Sequence, residues 1–175
     1  MFRALVLISV AALAAPASAQ IVTDRPDLTE STEAAAGVQI ETGLVVERSQ
    51  EVTDVTAPQA LVRIGLAPGV EARLGLPDYR VLDLGGADRG GFTDPSVGGK
   101  AELGALAGWD VAAIAEVSLP LGDDAFSGSA SPLALLIAGR DLDVFSLGTQ
   151  AELRWDRDAD RVDVGGTFVV GAAFT

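Results

Sequence analysis

Eight stretches of this chain alternate apolar and polar residues, and that period of two constrains the fold more than any other feature. Successive side chains of a β-strand point to opposite faces, so each stretch reads as a strand with one apolar and one polar side. In the first, Val38, Ile40, Thr42, Leu44 and Val46 face Gln39, Glu41, Gly43 and Glu47. The second sets Val62, Ile64 and Leu66 against Arg63 and Gly65, and the third sets Val70, Ala72, Leu74 and Leu76 against Glu71, Arg73 and Gly75. The fourth opposes Val97, Ala101, Leu103 and Ala105 to Lys100, Glu102 and Gly104; the fifth opposes Val111, Ala113, Ala115, Val117 and Leu119 to Glu116 and Ser118. The sixth, Leu133 to Arg140, is the least regular, because Leu136 falls on the nominally polar side. The seventh carries Phe145, Leu147, Ala151, Leu153 and Trp155 opposite Ser146, Gln150, Glu152 and Arg154. The eighth carries Val162, Val164, Phe168, Val170 and Phe174 opposite Arg161, Asp163 and Thr167.

The connections sort into two kinds. Short turns at Ala67-Pro68-Gly69, Ala107-Gly108-Trp109-Asp110 and Asp141-Leu142-Asp143 alternate with longer links: Ser49 to Pro58, Pro77 to Pro95 and Leu121 to Pro132. Asp156 to Asp160 is the one compact link in the long series. Tilted strands of roughly 9–11 residues with alternating short turns and long loops are the pattern of an outer-membrane barrel. The expected fold is therefore all-β: an antiparallel, up-and-down transmembrane β-barrel with about eight strands.

Targeting signals agree. Residues 1–19 read as a cleaved signal peptide, with Arg3 as the positive n-region, Ala4 to Ala15 as the apolar core and Ala17-Ser18-Ala19 as the cleavage site. That core is 12 residues long, short of the roughly 20 a transmembrane helix needs. Residues 20–37 form a polar N-terminal arm, and 38–175 the barrel domain. Cleavage removes Arg3 and takes the formal net charge from −13 to −14. An acidic chain of this kind is a poor nucleic-acid ligand, since phosphate recognition needs clustered Lys and Arg.

The chain has neither cysteine nor histidine, which removes disulfides, thiol nucleophiles, zinc-hydrolase sites and Ser-His-Asp catalysis. Asp156-x-Asp158-x-Asp160 has the spacing of a calcium loop, but Arg161 stands where that loop needs Gly and Thr167 where it needs Glu. Gly85-Gly86 and Gly90-Gly91 open no helix, so they are not phosphate cradles. No enzyme activity, cofactor or metal is expected.

The charged residues lie almost entirely on one parity. Burying an Arg or Lys at the bilayer midplane costs roughly 2–4 kcal/mol, so in a membrane barrel the charged parity lines the lumen. The lumen candidates are Glu41, Arg63, Glu71, Arg73, Lys100, Glu102, Glu116, Arg140, Glu152, Arg154 and Asp163. A soluble barrel or sandwich would invert this arrangement. Its core would be poorly filled by these Gly- and Ala-rich strands, and Phe145, Trp155 and Phe174 near strand ends suit a membrane interface.

The segment Thr23-Asp24-Arg25-Pro26-Asp27-Leu28-Thr29-Glu30-Ser31 resembles the N-terminal signature of a family of bacterial outer-membrane transporters linked by name to the meta-cleavage pathway of phenol degradation. In order along the chain, Gln39-Ile40-Glu41-Thr42-Gly43, Val70 to Pro77, Gly98 to Leu103 and Ser118 to Gly122 also resemble it. The resemblance implies an outer-membrane barrel passing small, aromatic or apolar compounds, and it supplies no binding residues. Family members continue past the segment resembling Gly171 to Thr175, so the chain reads as part of a larger barrel.

The functional expectation is a passive channel or transporter in the outer membrane of a Gram-negative cell. Its expected partners are outer-membrane lipid, lipopolysaccharide and a small solute. The alternatives are a small non-transporting structural or binding barrel, or a truncated, non-functional copy.

Overall fold

The computed structural model describes residues 29–49, 52–83 and 88–172. The signal peptide, Phe174 and Thr23 to Asp27 lie outside them. Every regular element among the described residues is a β-strand, and every strand pairing is antiparallel.

Eight strands form one sheet: β1 (Val38–Glu41), β4 (Leu61–Ala67), β5 (Val70–Gly75), β8 (Ser96–Leu106), β9 (Trp109–Ser118), β10 (Pro132–Leu142), β11 (Phe145–Asp156) and β12 (Arg161–Ala172), in that spatial order. Seven of them fall on the second to eighth alternating stretches, and β1 on the beginning of the first. β1 and β12 are its edges, so among the described residues the sheet is open. Its tight turns have the residues such turns require. Ala107 and Gly108 both have positive φ, at 52° and 80°, the conformation that lets a two-residue loop follow the twist of β8 and β9.

Two of the long connections, Ser49 to Pro58 and Pro77 to Pro95, are not the loops the sequence suggested, while Leu121 to Pro132 is one. β2 (Val45–Arg48), β3 (Thr53–Ala57), β6 (Tyr79–Asp83) and β7 (Asp88–Phe92) form a second sheet in the order β2-β3-β6-β7. Each of these strands prolongs one of β1, β4, β5 and β8, and the spatial order is the same in both sheets. The interruption runs through Gly43, Pro58, Pro77 and Pro95; proline has no N–H to give to a ladder. Hydrogen bonds from Gly43 N to Pro58 O, Leu76 N to Ala60 O and Thr93 N to Asp78 O carry the pairing across the break. The first stretch is therefore not one continuous strand: it is cut at residues 42–44.

Two bulges adjust the alternation. The register between β8 and β9 shifts between Glu102 and Gly104, so that Gly104 lies opposite Val111 and Ala105 opposite Asp110. This reverses the faces expected for Gly104 and Ala105, and it turns Leu106 outward at 71% exposure. A second shift lies between Gly65 and Ala67.

The loops at the end away from the tight turns are latched together by carboxylates. Asp94 accepts hydrogen bonds from Leu121 N (3.1 Å) and Gly122 N (2.8 Å), and Asp123 accepts one from Phe92 N (2.7 Å). Asp158 accepts both the N–H and the hydroxyl of Ser129, while Asp156 accepts the N–H groups of Asp158 and Ala159. Asp156 and Asp158 of the calcium-like spacing thus engage turn and loop donors. Burial pushes the Asp94 carboxyl up, but Ser127 and the N–H groups of Gly122, Gly128 and Leu121 outweigh it and hold the pKa below its ordinary value of 3.8. A depressed carboxylate contributes stability above its unfolded pKa and loses it as pH falls through the folded value. The Asp94 latch is therefore complete above about pH 4 and releases below it. Asp94→Asn should cost about 1 kcal/mol locally, a roughly five-fold faster amide exchange at Leu121 and Gly122 at neutral pH. Hydrogen exchange by NMR checks both statements; unchanged protection would refute the latch.

Candidate functional site: the charged inner wall

Two arginines stand directly opposite each other on the inner face of the large sheet, Arg63 on β4 and Arg73 on β5. Like charges in that position repel, and both residues are buried, at 1% and 3% exposure. The arrangement holds because Glu71 lies between them. Arg63 Nε is 2.9 Å and 3.0 Å from the two Glu71 oxygens, and Arg73 Nη1 is 3.1 Å from Glu71 Oε1. Glu41 takes Arg63 Nη1 at 3.0 Å, and Glu116 takes Arg73 Nε at 2.6 Å. Gln39 donates to Glu41 at 2.7 Å. Lys100 faces Glu71 across the β5–β8 ladder and is 1% exposed.

The N-terminal arm completes this network from above. Glu30 gives its carboxylate to Arg73 Nη2 at 2.9 Å, and the Glu33 carbonyl accepts from Arg63 Nη2 at 2.8 Å and from Lys100 at 3.3 Å. Ser31 Oγ also accepts from Lys100 at 3.3 Å. In the other direction, Ala34 N–H donates to Glu102, Ala35 N–H to Glu71 and Glu30 N–H to Gln150. Gly65 makes room for the arm: a Cβ there would sit 2.3 Å from the Ala35 carbonyl oxygen.

The middle of the inner face is apolar. Ile114, Leu135 and Ile137 form a small buried cluster with Leu133 against it. Beyond it, β11 and β12 carry Gln150, Glu152, Arg154 and Asp163 on the same face, with Arg154 opposite Asp163. Arg154 also pairs with Glu152 at 3.1 Å, but its side chain is 51% exposed, so this pair contributes about 0–1 kcal/mol.

The outer face is the reverse. Val38, Ile40, Leu66, Leu136, Leu153, Val164, Phe168 and Val170 are all more than half exposed. Phe145 and Trp155 lie at the two ends of β11 and are exposed, as expected for them. Leu136, the irregular residue of the sixth stretch, belongs to this outer face, because Leu133, Leu135 and Ile137 take the inner one.

The structure thus joins Glu41, Arg63, Glu71, Arg73 and Glu116 in one network, and brings Lys100, Glu102, Glu30 and Ser31 to it through the arm. Glu152, Arg154 and Asp163 share the face without joining that network. Arg140 is a correction. It lies opposite Leu147 on the outer parity, close to the β10–β11 turn. There its guanidinium lies beside Gly108 of the neighbouring β8–β9 turn. Sequence reasoning missed the Glu33 carbonyl and the Ala34 and Ala35 N–H groups. The available signal was the glycines of inner parity, Gly65, Gly139 and Gly148, which lie beneath Ala35, Thr32 and Thr29.

Residues 23–173 match the family described as "Putative MetA-pathway of phenol degradation". The chain belongs to this family. No curated protein and no solved structure gives a significant match. The family match begins in the arm and runs through the last strand, so it spans both the arm and the wall that share the ion network. Its name connects the chain to phenol degradation.

Arg63→Met should cost about 3–5 kcal/mol, because Glu71 and Glu41 would stay buried without their shared cation. Arg154→Met should change stability by less than about 1 kcal/mol. Urea unfolding followed by tryptophan fluorescence measures both; equal losses would contradict the different burial of the two halves.

Proposed function

We propose that the chain forms the wall of an outer-membrane β-barrel that passes small molecules passively, aromatic or apolar compounds among them. One observation carries this reading: the polarity of the large sheet is inverted. Arg63, Glu71 and Lys100 are each 1% exposed, while Val164, Val38 and Leu106 are exposed at 75%, 72% and 71%. Water solvates such a surface poorly, and large contiguous apolar patches mark membrane or partner contacts. Lipid solvates it well and leaves the charges to the lumen. Delivery by a cleaved signal peptide and contact with lipopolysaccharide belong to the same proposal, and the wall acts without catalytic chemistry. The mention of phenol in the family description supports aromatic compounds as the solutes.

A non-transporting structural or binding barrel is the second reading, favoured by how much of the inner face the arm and side chains fill. Swelling of liposomes carrying the full chain, with arabinose as solute, separates the two: swelling above that of empty vesicles supports passage, and its absence supports the structural barrel.

The membrane assignment has its own test. Ala115 lies on the exposed outer parity of β9, opposite Ala134 and Gly99. Ala115→Arg should lower stability in lipid vesicles by about 2–4 kcal/mol, whereas Thr167→Arg on the inner face should lower it by less than about 1 kcal/mol. Urea unfolding from vesicles reads the difference. Equal costs, or a mature chain that stays monomeric in buffer without detergent, would sink the assignment.

A further inference from the structure

We infer that the segment Glu30–Gly37 is a displaceable plug, and that solute passes only when it leaves the inner wall; this rests on the channel reading above. The segment crosses the sheet instead of extending it. Thr29 lies against Gly148 on β11 and Thr32 against Gly139 on β10. Ser31 and Glu33 reach Lys100 on β8, Ala35 reaches Glu71 on β5, and Gly37 O accepts from Gly65 N on β4. A strap from β11 to β4 obstructs the space in front of the wall along most of the sheet's width. Its contacts on β5, β10 and β11 fall within a few residues of the tight turns. It therefore closes that mouth and leaves the opposite, latched end to the loops.

The attachment is of a kind that exchanges with water. Between Glu30 and Gly37 the largest apolar side chain is alanine, so hydrophobic burial holds the strap weakly. Nearly everything else is hydrogen bonding, which a water-filled lumen replaces on release.

Release also leaves the arginine network of the wall intact. Without the strap, Arg63 keeps Glu41 and Glu71, and Arg73 keeps Glu71 and Glu116. The costly outcome of breaking a buried ion pair is a charge left without a partner, and neither guanidinium meets it. The strap binds Glu71, Arg63 and Arg73 in addition to the partners they have on the wall, so their ion pairs stay closed when it leaves. Glu30 is the strap's own ionic contact, 2.9 Å from Arg73, and it serves as the latch.

The chain contains no cysteine, so a reversible lock can be introduced cleanly. A Cβ at position 139 would lie 3.4 Å from Thr32 Cγ2, close enough for a disulfide between cysteines at the two positions. The full chain carrying Thr32→Cys and Gly139→Cys is placed in liposomes, and swelling in arabinose is measured oxidised and then reduced. The expected result is swelling at the rate of empty vesicles when oxidised, restored by reductant. Glu30→Gln in the unlocked protein should raise the rate by roughly ten-fold, the population shift from one lost charge-assisted hydrogen bond. Disulfide formation with unchanged swelling overturns the plug alone. Failure to form the disulfide overturns the placement of the strap, and an unchanged rate in Glu30→Gln overturns the latch. No swelling by the reduced protein overturns the channel reading and the plug with it.

Discussion

Two guanidinium groups facing each other across a ladder set the terms for the rest of the molecule. Arg63 and Arg73 stay charged under burial, so carboxylates must be brought to them, and they come from three strands and the arm: Glu41 on β1, Glu71 on β5, Glu116 on β9 and Glu30. Glu71 is the hinge of the arrangement because it touches both arginines. Each carboxylate must lie on the same face of its strand, which fixes the parity of β1, β4, β5 and β9 together. A one-residue slip in any of them would turn a buried partner outward.

That parity determines the opposite face. With ionised groups committed inward, alternate positions of the same strands are free to be apolar, and apart from Arg140 and Thr149 they carry apolar residues or glycine along the sheet. The breaks at Gly43, Pro58, Pro77 and Pro95 do not spoil this pattern. In the second sheet, Val46, Val55 and Val81 follow one another across a ladder row, and Ala57, Tyr79 and Phe92 across the next. The rings of Tyr79 and Phe92 meet edge to face with centroids 5.2 Å apart. The other face carries Asp54 with Arg80, and Arg80 lies over the Phe126 ring. The division of polarity thus continues past the point where the ladder is interrupted.

How much of this the sequence disclosed depends on the range of the determining contact. The eight main strands were legible because alternation is a local signal, and Arg63, Glu71 and Arg73 were legible as wall residues for the same reason. The second sheet was not, since β3 and β6 are five residues long and end near prolines that read as loop punctuation. The Gly104–Ala105 reversal depends on a bulge against β9, and the misassigned Arg140 depends on which parity its neighbours Leu135 and Ile137 take. The arm was the hardest part. Its residues have no period, and its place is decided by groups up to 120 positions away, as in the contact of Glu30 with Gln150.

The arm also explains why equivalent-looking charges differ in consequence. Glu152 and Arg154 on β11 have the same residue types and inner parity as Glu71 and Arg73 on β5. On β5 the arm excludes water, the ion pairs are buried, and losing one partner strands the other. On β11 the same pair lies in water and is screened. One half of the wall is therefore fixed electrostatically while the other stays solvated, and the apolar strip of Ile114, Leu135 and Ile137 separates them. In the proposed barrel, such a wall would give a rigid side against which the strap rests and a wet side able to hydrate it on release. Both properties follow from where the arm residues Thr29 to Gly37 cross the sheet.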